Sequence, residues 1–223
     1  MPSQEPFPPH RAYVGRPEAF DVLGGGHFML LFLLGLREHH RLLDFGCGSL
    51  RSGRLLIPYL LPGRYCGIDP NRWLIDAGID HEIGRSILAL KQPRFDFNAD
   101  CRLSVFDVQF DFIHAHSVFT HAPRSMIDRF FAEAAAVLSP EGLVLATFVE
   151  GSSDYQGGDW TYPALVRYTR GSLRSWVERH RLAFAIIRWP HPTQTYFLAA
   201  TTPARIHDAL ASIHRQYGLD LRT

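Results

Sequence analysis

The strongest chemical signal in the chain is Asp44-Phe45-Gly46-Cys47-Gly48, answered downstream by Gly67-Ile68-Asp69. Two glycines one residue apart let the backbone turn sharply and come close to a ligand that a β-carbon would obstruct. In doubly wound folds an acid roughly 20 residues after such a turn, at the end of the next strand, takes the hydroxyl pair of a ribose. Together these residues read as a nucleoside site. A dinucleotide fingerprint requires its third glycine where the chain has Arg51, and the Gly-Lys-Ser/Thr of a phosphate-binding loop does not occur. Asp44, directly before the glycines, is a poor neighbour for a phosphate and a good one for a cation or an ammonium group, which favours a sulfonium ligand.

A second group of reactive side chains follows the fourth apolar run: His114, His116, Ser117, Thr120 and His121. Side chains alternate along a strand, so His114 and His116 share a face, and His116 lies nearer the carboxyl end, where ligands bind. A neutral imidazole there can take a proton from an alcohol or amine, which makes His116 and His121 the catalytic candidates and Ser117 a substrate contact. No carboxylate-rich cluster accompanies the His-x-His pair, so no metal is expected. Further on, Glu150 to Pro163 is rich in glycine, with Tyr155, Trp160 and Tyr162 interleaved. That composition suits a lid closing aromatic surface over a small ligand and makes Tyr155 and Trp160 substrate contacts. Arg51 and Arg54 either meet an anionic group or form exposed pairs. Trp189, His191 and Gln194, between the last two strands, are expected at the opposite end of the sheet or at its rim, in a structural role.

The elements that must hold these residues alternate as a parallel sheet requires. A helix over Glu18 to Arg37 is interrupted by Gly24-Gly25-Gly26, which either bends it or admits a close neighbour such as the cofactor. Strands are expected near Arg41 to Phe45, Tyr65 to Ile68, Arg94 to Phe97, Phe110 to Ala115, Leu143 to Val149, Leu182 to Trp189 and Thr195 to Thr201, the last two as a hairpin. Ser49 is placed to cap the helix after the glycine turn, and the third gap is too short for a secure helix. Met126, Ile127, Phe130, Phe131, Ala134, Val137 and Leu138 form the stripe of a core helix opened by Pro123. Another helix is expected over Leu173 to His180. Thr202-Pro203 opens a final helix ending near Gly218, and its Ile206, Leu210, Ile213 and Tyr217 either dock on the sheet or meet a second copy, so monomer and homodimer both stand.

In sequence these motifs resemble the class I S-adenosylmethionine-dependent methyltransferases: LLDFGCG is similar to their first motif, GID to their second, FDFIHAHSVFTHAP to their fourth, and LSPEGLVLATF to the run into their fifth strand. The resemblance covers about Gly24 to Thr201. It implies an α/β, doubly wound, mostly parallel seven-stranded sheet with helices on both faces and an antiparallel last strand. It also implies S-adenosyl-L-methionine as cofactor, with Gly46 and Gly48 along the methionine and ribose side, Asp44 near the ammonium group and Asp69 on the ribose. Asp100 or, alternatively, Asn98 takes the adenine amine, with Phe97, Ile68 and Pro70 as candidate apolar walls. Leu50 departs from the family, many members of which have a third glycine there. The expected activity is O- or N-methylation of a small-molecule acceptor. A non-catalytic cofactor-binding scaffold and a nicotinamide-type oxidoreductase are the alternatives, the second disfavoured by Arg51.

Bulk properties agree with one domain over residues 17–223 behind a flexible, proline-rich arm over residues 1–16. With 23 basic against 22 acidic residues there is no positive field to gather nucleic acid. Three scattered cysteines suggest a reducing, cytoplasmic compartment. The longest apolar run, Phe28 to Leu36, falls far short of the roughly 20 residues of a membrane span.

Overall fold

Short β-rich runs separated by amphipathic stripes fold here into one seven-stranded sheet between two layers of helices; a computed structural model describes residues 7–223. The strands are β1 (Leu42–Phe45), β2 (Tyr65–Ile68), β3 (Arg94–Asp96), β4 (Phe110–Ala115), β5 (Leu138–Phe148), β6 (Ala183–Ile187) and β7 (Thr195–Ala200), in the spatial order β3-β2-β1-β4-β5-β7-β6. β7 runs antiparallel to both β5 and β6, and the other pairings are parallel. The expected α/β sheet with its antiparallel last strand is therefore present.

Alternation along the central strands sorts the core into two layers. Leu43 and Phe45 of β1 face a cluster with Phe130 and Phe131 of helix α6 (Arg124–Val137) and with Leu173 and Trp176 of α7 (Arg170–Arg179). Leu42 faces the other way, toward Leu30 and Leu31 of α2 (Phe20–Leu33), Leu56 of α3 (Gly53–Tyr59) and Ile206, Leu210 and Ile213 of α8 (Pro203–Tyr217). The α8 stripe thus docks on the sheet except for Tyr217, which is exposed. Thr202 caps α8 by accepting from the Arg205 N–H, and Gly218 ends it in the left-handed region.

Several local expectations change. Residues 1–16 do not form a free arm throughout: Pro9–Tyr13 is a short helix, α1, that packs on α4 (Arg72–Gly78), and His10 is buried; Met1–Pro6 lie outside the described residues. Helix α2 runs unbroken through Gly24-Gly25-Gly26. A Cβ at Gly24 would sit 2.5 Å from the Arg51 carbonyl oxygen, so close approach explains that glycine, and the neighbour is the chain leaving the glycine turn, not a ligand. Ser49 caps nothing, because α3 begins four residues later, at Gly53. The third gap holds only a 3₁₀ turn, Leu103–Phe106, and β5 starts as soon as α6 ends.

Candidate active site

The loop after β1 owes its shape to Gly46 and Gly48, with φ of 71° and 51°. Leu50, at the family's third-glycine position, has φ 61°, so the left-handed turn is kept despite a side chain that usually avoids it. From the end of β2, Asp69 braces the loop: Oδ2 accepts from Gly48 N–H at 2.9 Å and Oδ1 from the Asn71 backbone and side-chain amides at 2.8 and 3.0 Å. Burial pushes the Asp69 carboxyl above its ordinary value, against these hydrogen bonds.

Two cavities meet at Gly46. The larger, about 270 Å³, is walled by Phe45, Ile68, Pro70 and Val118, carries Asp69, Asn71 and Asn98 as polar groups, and has Trp160 at its mouth. An apolar slot with a carboxylate at one side fits a nucleoside. Asn98 lines it, whereas Asp100 is exposed and outside, and Phe97 lies under Arg72 and not in the wall. Chain direction explains the first difference: Asn98 ties itself to Asp96 and Arg102, and the backbone bends at Ala99 and Asp100, the last lining residue being Ala99.

The smaller cavity, about 40 Å³, is polar and is lined by Asp44, Ser49, Arg51, His27, His114 and His116, with Val14 across from Gly48. Asp44 does not stand free: Oδ2 accepts from the Tyr65 hydroxyl at 2.8 Å and Oδ1 from His114 Nδ1 at 3.1 Å. Ser49 Oγ, His27 Nε2 and His114 Nε2 are buried without a partner in the protein. Buried polar atoms are rarely left so, and these point to a polar occupant. Arg51 donates to the Val14 carbonyl, and burial lowers its pKa to about 10. Arg54 pairs instead with Asp21 at 2.8 Å.

His116 is not arranged as a base. His191 Nδ1 accepts from the backbone N–H groups of Thr193 and Gln194 at 3.1 and 2.9 Å, so its proton sits on Nε2. That N–H donates to His116 Nε2 at 3.2 Å and leaves the His116 proton on Nδ1. The turn carrying His191 and Gln194 therefore lies at the site, not at the opposite end or in a merely structural position. β6 is antiparallel to β7, which is antiparallel to β5, so the carboxyl end of β6 opens on the same edge as that of β4. His27, on α2, was missed altogether; its ring lies 3.9 Å from that of His116, centroid to centroid.

The lid residues divide. Trp160 borders the nucleoside-sized cavity, whereas Tyr155 packs on the core and Ser117 joins a network with Thr147, Thr120 and Gln194; neither lines a cavity. His121 anchors the lid: Nδ1 donates to the Ala164 carbonyl at 2.8 Å, its backbone carbonyl accepts from Thr161 N–H at 3.0 Å, and its ring contacts Trp160 and Tyr162. From the other side, the Tyr13 ring lies edge-to-face with Trp73 and tilted against Tyr162, whose hydroxyl donates to the Tyr13 carbonyl. This N-terminal strap is held by Glu82, which accepts from His10 and, bidentately, from Arg11 at 2.6 and 2.7 Å. Burial works against the Glu82 charge, yet those donors hold its pKa below the ordinary value. Among the described residues no group of His, Cys, Asp or Glu is placed to hold a metal ion, and no helix is long and apolar enough to cross a membrane.

Residues 43–144 match the family model described as a methyltransferase domain. That stretch, from β1 into β5 with the glycine turn, is similar to a methyltransferase domain. The fold of the chain is shared with magnesium protoporphyrin IX methyltransferase from Synechocystis with bound S-adenosylmethionine (TM-score 0.63, 12% identity, 83% of this chain and 81% of that one). It is also shared with the complex of DhpI with S-adenosylhomocysteine (0.61, 15%, 87% and 94%) and with the glycopeptide N-methyltransferase MtfA, again with S-adenosylhomocysteine (0.61, 9%, 80% and 90%). S-adenosylmethionine is the cofactor that the sequence motifs imply. The glycine cradle and the orphaned polar atoms of the small cavity fit it.

The buried histidines make the protein sensitive to mild acid. Burial holds His27 and His116 well below the usual imidazole value and His191 down at about 4, so the folded chain refuses protons that the unfolded chain accepts below about 6.5. The unfolded state then binds more protons, and stability must fall as pH drops from about 6.5 toward 4. Denaturant titrations at pH 7.5, 6.5 and 5 are expected to show a small loss over the first interval, about 1 kcal/mol, and a larger one over the second, shallower for His191→Asn. Equal stability at all three pH values would contradict neutral burial.

Proposed function

We propose that the protein is a methyltransferase that acts on a small-molecule acceptor through an oxygen or nitrogen atom, seated between the end of β4 and the lid, with the nucleoside of the cofactor in the larger cavity and its amino-acid end in the smaller one. The observation that carries the assignment is the junction of the two cavities at Gly46, an apolar slot on one side and a polar one on the other. When bound, S-adenosylmethionine supplies an electrophilic methyl group on a sulfonium. The protein's part is then to hold the acceptor in line, exclude water and receive a proton. Trp160 and Tyr162 with the Tyr13 strap provide an aromatic cover suited to excluding water. His121, whose proton is fixed on Nδ1 by the Ala164 carbonyl, keeps its Nε2 lone pair and is the proton acceptor best supported by hydrogen bonding; burial keeps it neutral. His116 offers an N–H to the small cavity instead. With 23 basic against 22 acidic residues the chain has no positive field to gather nucleic acid, in keeping with a small-molecule acceptor.

Asp69 is the ribose acceptor in this assignment and also a brace for the glycine loop. Asp69→Ala is expected to weaken S-adenosylhomocysteine binding by about 1.5–3 kcal/mol, the scale of hydrogen bonds to a charged group, or roughly 10- to 150-fold. Calorimetry on the parent and the variant tests this, and equal affinities would remove the nucleoside from the larger cavity.

A further inference from the structure

Asp44 stands where the ammonium group of the cofactor is expected, yet each of its oxygens already accepts a hydrogen bond, from Tyr65 and from His114. The carboxylate takes its donor from His114 Nδ1–H, which in the neutral imidazole leaves Nε2 as a bare lone pair. That atom is buried, has no partner in the protein and belongs to a residue lining the small cavity. A buried acceptor left open in this way is costly unless a donor arrives. The histidine just past the end of β4, His116, with its ring 6.3 Å away, is held in the opposite sense, since the His191 relay leaves it a donor at Nδ1. Arg51 adds a cation to the same wall. One small cavity thus combines an acceptor backed by a carboxylate with two donors, the complement of an α-amino acid zwitterion.

We propose that His114 Nε2 accepts a hydrogen bond from the ammonium group at the amino-acid end of S-adenosylmethionine, an assignment that rests on the cofactor site proposed above. Asp44 is then a positioning residue, which fixes the His114 tautomer and passes its negative charge through the ring, and Tyr65 holds Asp44 in place. Arg51 and His116 Nδ1–H are left to the carboxylate. The ammonium group is thereby read from β4 as well as from the first motif, whose carboxylate keeps a free lone pair on each oxygen.

The test uses S-adenosylhomocysteine and its deamino analogue, which differ only in the group concerned. By calorimetry the parent is expected to bind the amino compound about 10- to 100-fold tighter. His114→Leu is expected to lose most of that preference while its affinity for the deamino analogue stays within about threefold of the parent's. A leucine variant that keeps the full preference overturns the assignment. Because a substitution inside β4 can impair folding, nitrogen-15 NMR of the histidine-labelled native protein gives a second measurement. The His114 Nε2 resonance, in the range of an unprotonated ring nitrogen, is expected to move with S-adenosylhomocysteine and stay put with the deamino analogue; an equal response to both overturns the assignment. A parent that binds neither compound overturns the cofactor site itself, whereas a parent that binds both equally overturns only the role of His114.

Discussion

Gly46→Val is expected to abolish cofactor binding, with a loss of at least about 100-fold, while leaving the protein folded. Gly46 lies at φ 71°, where a residue with a β-carbon costs roughly 1–2 kcal/mol and a β-branched one more. A Cβ there would also overlap Val118 Cγ2, and both residues line the larger cavity. Relief of the overlap must move either the turn or Val118 into the space of the ligand. A few kcal/mol of strain is tolerable for a domain of ordinary stability, about 5–15 kcal/mol, so circular dichroism should show native helix content. Calorimetry with S-adenosylhomocysteine should show no heat of binding. Gly46→Ala with Val118→Ala keeps the backbone strain but removes the overlap, and is expected to recover part of the affinity. A Gly46→Val protein with parental affinity would show that the loop does not hold the cofactor.

Features governed by the backbone were legible in the sequence. The glycine turn, the strands carrying Asp44, Asp69 and His114, and the capped C-terminal helix each depend on a few residues with a narrow range of allowed conformations, and they lie within a few residues of where pattern and spacing put them. Features that depend on which segments meet were not. His27 reaches the site because Gly24 lets α2 touch the chain at Arg51, a contact between segments that no periodicity encodes. His191 reaches it because of strand direction, which was deducible: an antiparallel last strand already places the β6–β7 turn at the carboxyl edge. Asp100 and Tyr155 had the right chemistry and the right segment, but the chain turns before Asp100, and Tyr155 faces the core. Polarity was equally hidden. His114 and His116 are identical residues two positions apart on one face, and only their partners, Asp44 on one side and His191 on the other, make one an acceptor and the other a donor.

The same distinction separates His116 from His121 as proton acceptors, and asparagine is the variant that exposes it, because its amide can mimic Nδ1–H while offering nothing at Nε2. In His121→Asn the amide N–H can still reach the Ala164 carbonyl, now 2.8 Å from Nδ1, and the Thr161 N–H still meets the backbone carbonyl, so the lid keeps its anchor. With an alcohol or amine acceptor, kcat is expected to fall by about 10² to 10⁴, the usual contribution of a positioned base, with cofactor affinity unchanged because His121 lines neither cavity. His116→Asn keeps the donor at the Nδ1 position and is expected to cost under about tenfold in kcat, since no base is lost. Burial places the His121 pKa below 6.5, against the Ala164 hydrogen bond, so its base form predominates at neutral pH. Parental kcat should therefore be level above about pH 7 and fall in acid as Nε2 takes up a proton. His121→Asn should lose that acid limb along with its rate. Full turnover in His121→Asn together with a large loss in His116→Asn would reverse the two roles and require the His191 relay to run in the opposite direction, against the two backbone donors that converge on His191 Nδ1.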